Sequence, residues 1–184
     1  MRLFIAEKPE LARAIIAGIG SRFEKRDGYF ENCSDVVTWC FGHLLQLADP
    51  EDYDPKFKKW NMNDLPIITV PWKVKPISDK KKQLKTIVNL IKKADEVVHA
   101  GDPDDEGQLL VDEILEYAGC RVPVKRLLIN DNNVQVVRKS LSKMSCNSNF
   151  SGLSQSALGR SVADQLYGYN LSRGYTAGSA GQRL

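Results

Sequence analysis

Four acidic residues crowd the turn between a predicted strand and a predicted helix: Asp102, Asp104, Asp105 and Glu106. The β-branched run 96–100 predicts the strand. Residues 108–118 place apolar side chains, Tyr117 among them, on one helical stripe, and Gly119 follows as a stop signal. Carboxylates this close repel one another unless positive charge offsets them, and a hard divalent cation with oxygen ligands does so. The pattern predicts a magnesium site.

Two other interpretations fit the same acids. Acidic residues favour the first turn of a helix because the helix dipole stabilises them there. The spacing of residues 102–113 also matches a calcium-binding EF-hand loop with one substitution. An EF-hand needs a helix before the loop, whereas the residues before Asp102 predict a strand. We therefore rank a magnesium site at a strand end above the calcium loop.

A second strand, turn and helix opens the chain. Residues 2–6 predict a buried strand and residues 10–17 a helix, with Pro9 suited to its first turn. Ligands of open α/β sheets gather outside the carboxyl ends of the strands. If the two strands are parallel neighbours, Glu7 converges with Asp102 and Asp104. Lys8 can either hold a phosphate or pair with a nearby acid.

Composition and charge bound the class of protein. The chain has 184 residues, a net charge of +3 and 42% apolar residues, which is ordinary for a soluble globular protein. Residues 54–93 hold eleven lysines against three aspartates. A basic lobe beside an acidic site is expected of a magnesium-dependent enzyme that acts on nucleic acid. No apolar run predicts a membrane span, and four scattered cysteines indicate reduced thiols in a cytoplasmic protein.

The segment 49–80 is rich in proline, aromatic residues and lysine. Aromatic side chains interleaved with lysines are how proteins stack bases and follow a nucleic-acid backbone. The plainer interpretation is a long connection whose tryptophans fill the core. We expect Trp72 to be buried in the core and leave Trp60 open. His43 is either an acid/base group or ligand, or a histidine hydrogen-bonded at a strand end.

The remaining elements predict a parallel α/β sheet with flanking helices. Residues 28–30 and 36–40 predict a hairpin. The other predicted elements are a helix over 78–93, a strand over 124–129, a helix over 133–143 capped by Asn130 and Asp131, a linker over 144–152, a last helix from 153 or 154 to 175, and a flexible tail over 178–182.

Five motifs, in order and at compatible spacing, resemble the bacterial type IA DNA topoisomerases, specifically the topoisomerase III group. They are residues 1–9 (MRLFIAEKP), 39–45 (WCFGHLL), 101–110 (GDPDDEGQLL), 128–131 (LIND) and 166–173 (LYGYNLSR). The match runs from residue 1 to about residue 176.

The resemblance implies a TOPRIM (Rossmann-like) catalytic domain over residues 1–150 and the start of a helical DNA-binding domain over 151–184. It implies that Glu7, Asp102 and Asp104 bind Mg²⁺, with Glu7 also an acid/base group and Lys8 stabilising the scissile phosphate. The implied DNA-binding residues are Trp60, Arg160, Gln165 and Arg173. The implied partners are single-stranded and negatively supercoiled DNA. The implied location is the cytoplasm, at the nucleoid. The implied reaction is transient cleavage of one strand through a phosphotyrosine, followed by strand passage and religation.

Three departures from the family pattern bear on activity. Asp105 stands where the family usually has arginine, and Gln165 where it usually has tryptophan. The chain stops before the domains that carry the nucleophilic tyrosine, so we expect this chain alone to be inactive in cleavage and to need the rest of the topoisomerase. The alternatives are a TOPRIM nuclease or primase-like protein that needs no tyrosine, and a non-catalytic single-stranded DNA-binding fragment.

Overall fold

The structure, a computed structural model, describes residues 1–180. Within these residues, nine strands form in chain order: β1 (Arg2–Ala6), β2 (Glu24–Arg26), β3 (Tyr29–Glu31), β4 (Asp35–Trp39), β5 (Leu45–Leu47), β6 (Val74–Pro76), β7 (Glu96–Ala100), β8 (Val124–Arg126) and β9 (Ser145–Cys146). The α-helices are α1 (Pro9–Ile19), α2 (Pro50–Tyr53), α3 (Lys81–Ile91), α4 (Asp105–Tyr117), α5 (Val134–Leu141) and α6 (Ser151–Ala180).

The larger of two compact units comprises residues 1–45 and 76–157. Its seven-stranded sheet has the order β2-β3-β4-β1-β7-β8-β9. The four central strands are parallel, and β2, β3 and β9 add antiparallel pairs at the edges. Helix α1 packs with α5 over one face of the sheet, while α3 and α4 pack together and contact β1 and β7. The predicted α/β fold is confirmed.

Strand β1 lies at the centre of this sheet because its side chains are apolar on both faces. Leu3, Phe4 and Ile5 are completely buried, as expected of a strand with helices on both sides. Its register with β7 pairs Ala6 with Ala100. The two strands therefore end at the same level, and the residues that follow them emerge side by side.

Several local predictions are wrong. Asn133 caps α5 by accepting the backbone N–H of Gln135, so the cap is not Asn130 or Asp131. The predicted linker contains β9, which pairs with β8, and a 3₁₀ turn over Asn147–Phe150. Tyr117 is 45% exposed because it lies at the end of α4, outside the buried stripe.

The second unit is made of residues 46–75 and the chain from Leu158 onward. Asn170 on α6 accepts the backbone N–H of Ile67 and donates to its carbonyl, and the hydroxyls of Tyr169 and Thr69 lie 2.7 Å apart. Trp72 is 47% exposed, so its predicted burial in the core is wrong. The predicted division into residues 1–150 and 151–184 stays a prediction.

Helix α6 continues to Ala180, beyond its predicted end. The part of the predicted flexible tail at residues 178–180 is therefore helical, and residues 181 and 182 lie outside the described residues. No helix within residues 1–180 is long and apolar enough to cross a membrane. The cysteines are free thiols.

Candidate metal and phosphate site

Two of the predicted acidic residues meet where β1 and β7 end, through the main chain of one and the carboxylate of the other. The backbone N–H of Asp102 donates to Glu7 Oε2 at 2.8 Å. Glu7 and Asp102 are 95 positions apart in sequence, and the parallel register of the two strands brings them together. Within residues 1–180, no group of three His, Cys, Asp or Glu side chains is already arranged to hold a metal ion.

Two glycines allow this close approach. A Cβ atom added at Gly101 would lie 2.0 Å from the carbonyl oxygen of Gly107, and one added at Gly107 would lie 2.8 Å from Glu7 Oε2. Both separations are shorter than any ordinary contact. The turn from β7 into α4 therefore folds back against Glu7 only because these residues lack side chains.

Lys8 neutralises part of the acidic site. Its Nζ donates to Asp102 Oδ2 at 2.6 Å, and both side chains are partly exposed. The hydrogen bond from Lys8 to Asp102 raises the pKa of the lysine, helped by the charges of Asp102 and Glu7. The ammonium is therefore charged at neutral pH and already lies beside the carboxylate.

Asp104 acts as the N-cap of α4. Its Oδ1 accepts the backbone N–H of Gly107 at 2.7 Å, which is the usual capping hydrogen bond of an N-terminal aspartate. Helix-end stabilisation thus accounts for one oxygen of Asp104. The calcium-loop alternative is excluded, since strand β7 precedes Asp102 and residues 105–113 lie in α4.

A histidine and a partly buried glutamate form a second pair in this unit. His43 Nδ1 lies 2.8 Å from Glu113 Oε1, and His43 Nε2 lies 3.8 Å from Glu106 Oε2. The hydrogen bond with Glu113 raises the pKa of His43, and burial raises the pKa of Glu113. His43 lies in the loop between β4 and β5, hydrogen-bonded through one ring nitrogen and with the other facing a further acid, and both interpretations of His43 stay predictions.

Replacing Glu113 with glutamine is expected to lower the pKa of His43, because the acceptor that favours the imidazolium loses its charge. An NMR titration of the ring protons measures it. The chain has two histidines, and burial together with the charge of Arg126 lowers the pKa of His99 to about 4, so the two signals separate.

The matched control is Glu116→Gln, an exposed glutamate on the same helix, which should leave both titrations unchanged. In the wild type, the raised pKa means that His43 favours the folded state below its unfolded pKa of about 6.5 and loses this contribution as the pH rises through its folded pKa. An unchanged His43 titration in Glu113→Gln would contradict the assignment.

An open cleft of about 270 Å³ borders the acids on the side of α1. Lys8 and Asp102 form part of its wall, and Asn130 and Asp131, from the loop after β8, form another part. This loop lies in one of the motifs that carried the family resemblance. Lys8 and Asp102 are therefore partly exposed to solvent on this side.

Two of the predicted DNA-binding residues form a stack in the second unit. The guanidinium of Arg173 lies 5.4 Å from the ring centroid of Trp60 and donates to the carbonyl oxygen of Phe57 at 2.6 Å. Trp60 is 50% exposed and Arg173 is buried.

Gln165 and Arg160 also lie on α6. The side-chain amide of Gln165 donates to the carbonyl oxygen of Ala48 at 3.3 Å. Arg160 is exposed and lies about 20 Å along the helix from Arg173. The structure therefore groups Trp60 with Arg173 and does not add Arg160 to that stack.

Sequence reasoning missed a buried polar network beneath the acidic turn. Arg126, Gln108 and His99 are each at most 1% exposed and hydrogen-bonded to one another or to nearby main chain. The only signal was a pair of charged residues, Lys125 and Arg126, inside the predicted strand, and that signal does not say which of them is buried or what it contacts.

Comparisons with known proteins identify the family. The Toprim domain family matches residues 2–138. DNA topoisomerase 3 of Vibrio cholerae is 50% identical over 182 residues, covering 95% of this chain and 28% of that protein. DNA topoisomerase 3 of Haemophilus influenzae is 50% identical over 181 residues, covering 96% of this chain and 28% of that protein.

A solved structure of full-length topoisomerase I from Thermotoga maritima shares the fold. The TM-score is 0.63 at 18% identity, over 94% of this chain and 25% of that one. This chain spans about a quarter of the length of the curated relatives it matches. The resemblance to the topoisomerase III group is confirmed, and the chain belongs to the Toprim domain family.

Proposed function

We propose that this chain supplies the acidic Mg²⁺ site and the single-stranded DNA contacts of a type IA DNA topoisomerase of the topoisomerase III group. The whole enzyme would cleave one strand through a phosphotyrosine, pass another strand and religate the first. The observation that carries the proposal is the junction of Glu7, Lys8 and Asp102 at the ends of two parallel strands. Relatives about 50% identical to this chain are named DNA topoisomerase 3.

The donor atoms suit magnesium. Glu7, Asp102 and Asp104 offer only carboxylate oxygens, which are hard ligands. The Lys8 ammonium lies beside Asp102, where its positive charge would offset the negative charge of the carboxylates and of a phosphate. These three carboxylates would hold the ion after drawing together, and the bound ion would supply charge that offsets the acids and the phosphate oxygens.

Other residues of the chain would bind the phosphate, transfer a proton and contact the DNA strand. Lys8 would bind a non-bridging oxygen of the phosphate from its position at the start of α1. Glu7 would hold or release a proton at its carboxylate, next to the Asp102 main chain. Trp60 would stack on a base, with Arg173 supporting its ring, and Arg160 and Gln165 would contact the strand along α6.

Calorimetric titration of Mg²⁺ tests the proposal. Glu7→Gln and Asp102→Asn should each weaken binding by about tenfold or more, because each removes a charged ligand. Asp27→Asn is the matched control, since Asp27 is an exposed carboxylate paired with Lys82 in the same unit. Equal affinity in all four proteins would overturn the magnesium site and leave a DNA-binding fragment that needs no metal.

Replacing Lys8 with methionine is expected to tighten Mg²⁺ binding about fivefold. An exposed ion pair contributes up to about 1 kcal/mol, and its removal releases Asp102 for the metal. The same variant should bind a single-stranded oligonucleotide less tightly, because a phosphate contact is lost. Calorimetry with each ligand separates the two effects. Weaker Mg²⁺ binding would show that Lys8 supports the acids rather than competing for them.

This chain alone is expected to form no covalent adduct with DNA. Tyr117 lies at the far end of α4, about 18 Å along the helix from the acids. The hydroxyls of Tyr53 and Tyr169 are hydrogen-bonded to Lys73 and Thr69. The measurement is incubation with labelled single-stranded DNA and Mg²⁺, then detergent and gel electrophoresis. A tyrosine-dependent adduct would contradict the prediction, and cleavage without an adduct would favour the nuclease alternative.

A further inference from the structure

Arg126 on β8 is buried beneath the acidic turn and holds its main chain. The side chain is 99% covered, with a relative exposure of 1%. Its guanidinium donates to the carbonyl oxygens of Gly101 and Asp102, each at 2.7 Å, and to that of Leu127 at 3.0 Å. Burial lowers the pKa of Arg126 to about 10, so it remains charged at neutral pH.

The orientation of this guanidinium is itself fixed. Arg126 Nε donates to Gln108 Oε1 at 2.7 Å. The amide of Gln108 donates to Asp112 and to Asn147, and Asn147 donates to Asp112. The guanidinium also lies 6.0 Å from the ring centroid of Phe150. Residues from β8, α4 and the turn after β9 thus converge on one cation.

Burying a guanidinium carries a desolvation penalty of several kcal/mol, which hydrogen bonds and nearby charges must offset. Here four of the five acceptors of Arg126 are main-chain carbonyls, and two of these, of Gly101 and Asp102, belong to the acidic turn. These hydrogen bonds fix the peptide planes on both sides of Asp102.

Asp102 is therefore held from two directions. Its carbonyl accepts from Arg126, and its N–H donates to Glu7. A planar guanidinium with several N–H groups can bridge two adjacent carbonyls at once, whereas a lysine ammonium on a flexible stem presents no such fixed fork. The charge of Arg126 also lies behind Asp102 and Asp104, where it reduces their mutual repulsion.

We propose that Arg126 is a positioning residue, which holds the Asp102 turn against Glu7 so that the carboxylates can share one divalent ion. The inference rests on the proposed function, because it concerns the same acidic site. Groups that orient metal ligands from behind commonly change metal affinity 10–100-fold when they are replaced.

The deciding variant is Arg126→Lys. It keeps the positive charge and removes the planar guanidinium that donates to the carbonyls of Gly101 and Asp102 at the same time. Calorimetry should show Mg²⁺ binding at least about tenfold weaker than in the wild type. Hydrogen exchange at the Asp102 amide should be faster, since its hydrogen bond to Glu7 loses its support. Val137→Ala is the control: it removes buried volume from α5, away from the turn, and should lower stability without changing Mg²⁺ affinity.

Each outcome has one meaning. A folded Arg126→Lys protein with wild-type Mg²⁺ affinity would overturn the inference. If Arg126→Lys does not fold, Gln108→Asn decides, because it shortens the acceptor of Arg126 Nε and leaves the arginine intact. A few-fold loss of Mg²⁺ affinity in Gln108→Asn would support the inference, and no loss would overturn it.

Failure of the proposed function would look different. The wild type would then bind no Mg²⁺, or would bind it equally well after Glu7→Gln and Asp102→Asn. Amide exchange at Asp102 would still judge the inference in that case. Faster exchange in Arg126→Lys would support the positioning role, and unchanged exchange would overturn it.

Discussion

Gly101→Ala is expected to destabilise the larger unit by about 3 kcal/mol or more, at the upper end of the range for overpacking. The new Cβ would lie 2.0 Å from the carbonyl oxygen of Gly107 and 2.8 Å from its carbonyl carbon. Both atoms belong to main chain in the first turns of α4, so no side-chain rotation relieves the overlap. The turn must open, and Asp102 must move away from Glu7.

Urea unfolding followed by circular dichroism measures the loss, and Mg²⁺ titration of the folded fraction measures its effect on the site. Gly152→Ala is the matched control. A Cβ at Gly152 meets no atom within 4 Å, and the residue lies in α6. It should therefore be neutral or slightly stabilising. Wild-type stability in Gly101→Ala would show that the turn can adopt another path.

Trp60→Ala is expected to weaken single-stranded DNA binding by about 1–3 kcal/mol, the usual contribution of one stacked base. The ring is half exposed, and the guanidinium of Arg173 lies 5.4 Å from its centroid. Arg173 is in turn held by the carbonyl oxygen of Phe57. The Trp60 ring is therefore supported in the free protein, which would reduce the entropy lost if a base stacks on it.

Fluorescence anisotropy with a labelled oligonucleotide measures this affinity at several salt concentrations. Affinity should fall steeply with salt, because each neutralised phosphate releases a counterion. Trp72→Ala is the control, since Trp72 belongs to the same unit and is exposed to a similar extent. Equal losses for both tryptophans would indicate general aromatic contact, and no loss for Trp60→Ala would return Trp60 to a structural role.

The sequence was most informative where the pattern is local and repeated. Two segments of the sequence show the same order of strand, turn and helix, and they predicted β1, β7 and the parallel sheet. The register of β1 with β7 brings Glu7 next to Asp102. Short, mostly apolar runs identify such strands well, because both faces of a central strand are covered.

Prediction failed where distant contacts decide the outcome. Trp72 is aromatic and was expected in the core, but nothing in its neighbourhood says which tryptophan faces solvent. Arg126 binds main-chain carbonyls of a turn that precedes it by more than twenty residues, and carbonyls leave no trace in a sequence pattern. Asn133, rather than Asn130, caps α5 because the chain after β8 continues further before it turns.

The smaller unit is assembled from two stretches of chain separated by the whole segment 76–157. During synthesis, residues 46–75 leave the ribosome long before α6. Until Asn170 is made, the main-chain N–H and C=O of Ile67 lack the side chain that pairs with both. Since domains generally fold as the chain emerges from the N-terminus, we expect the turn that joins Glu7 to Asp102 to form before Ile67 pairs with Asn170.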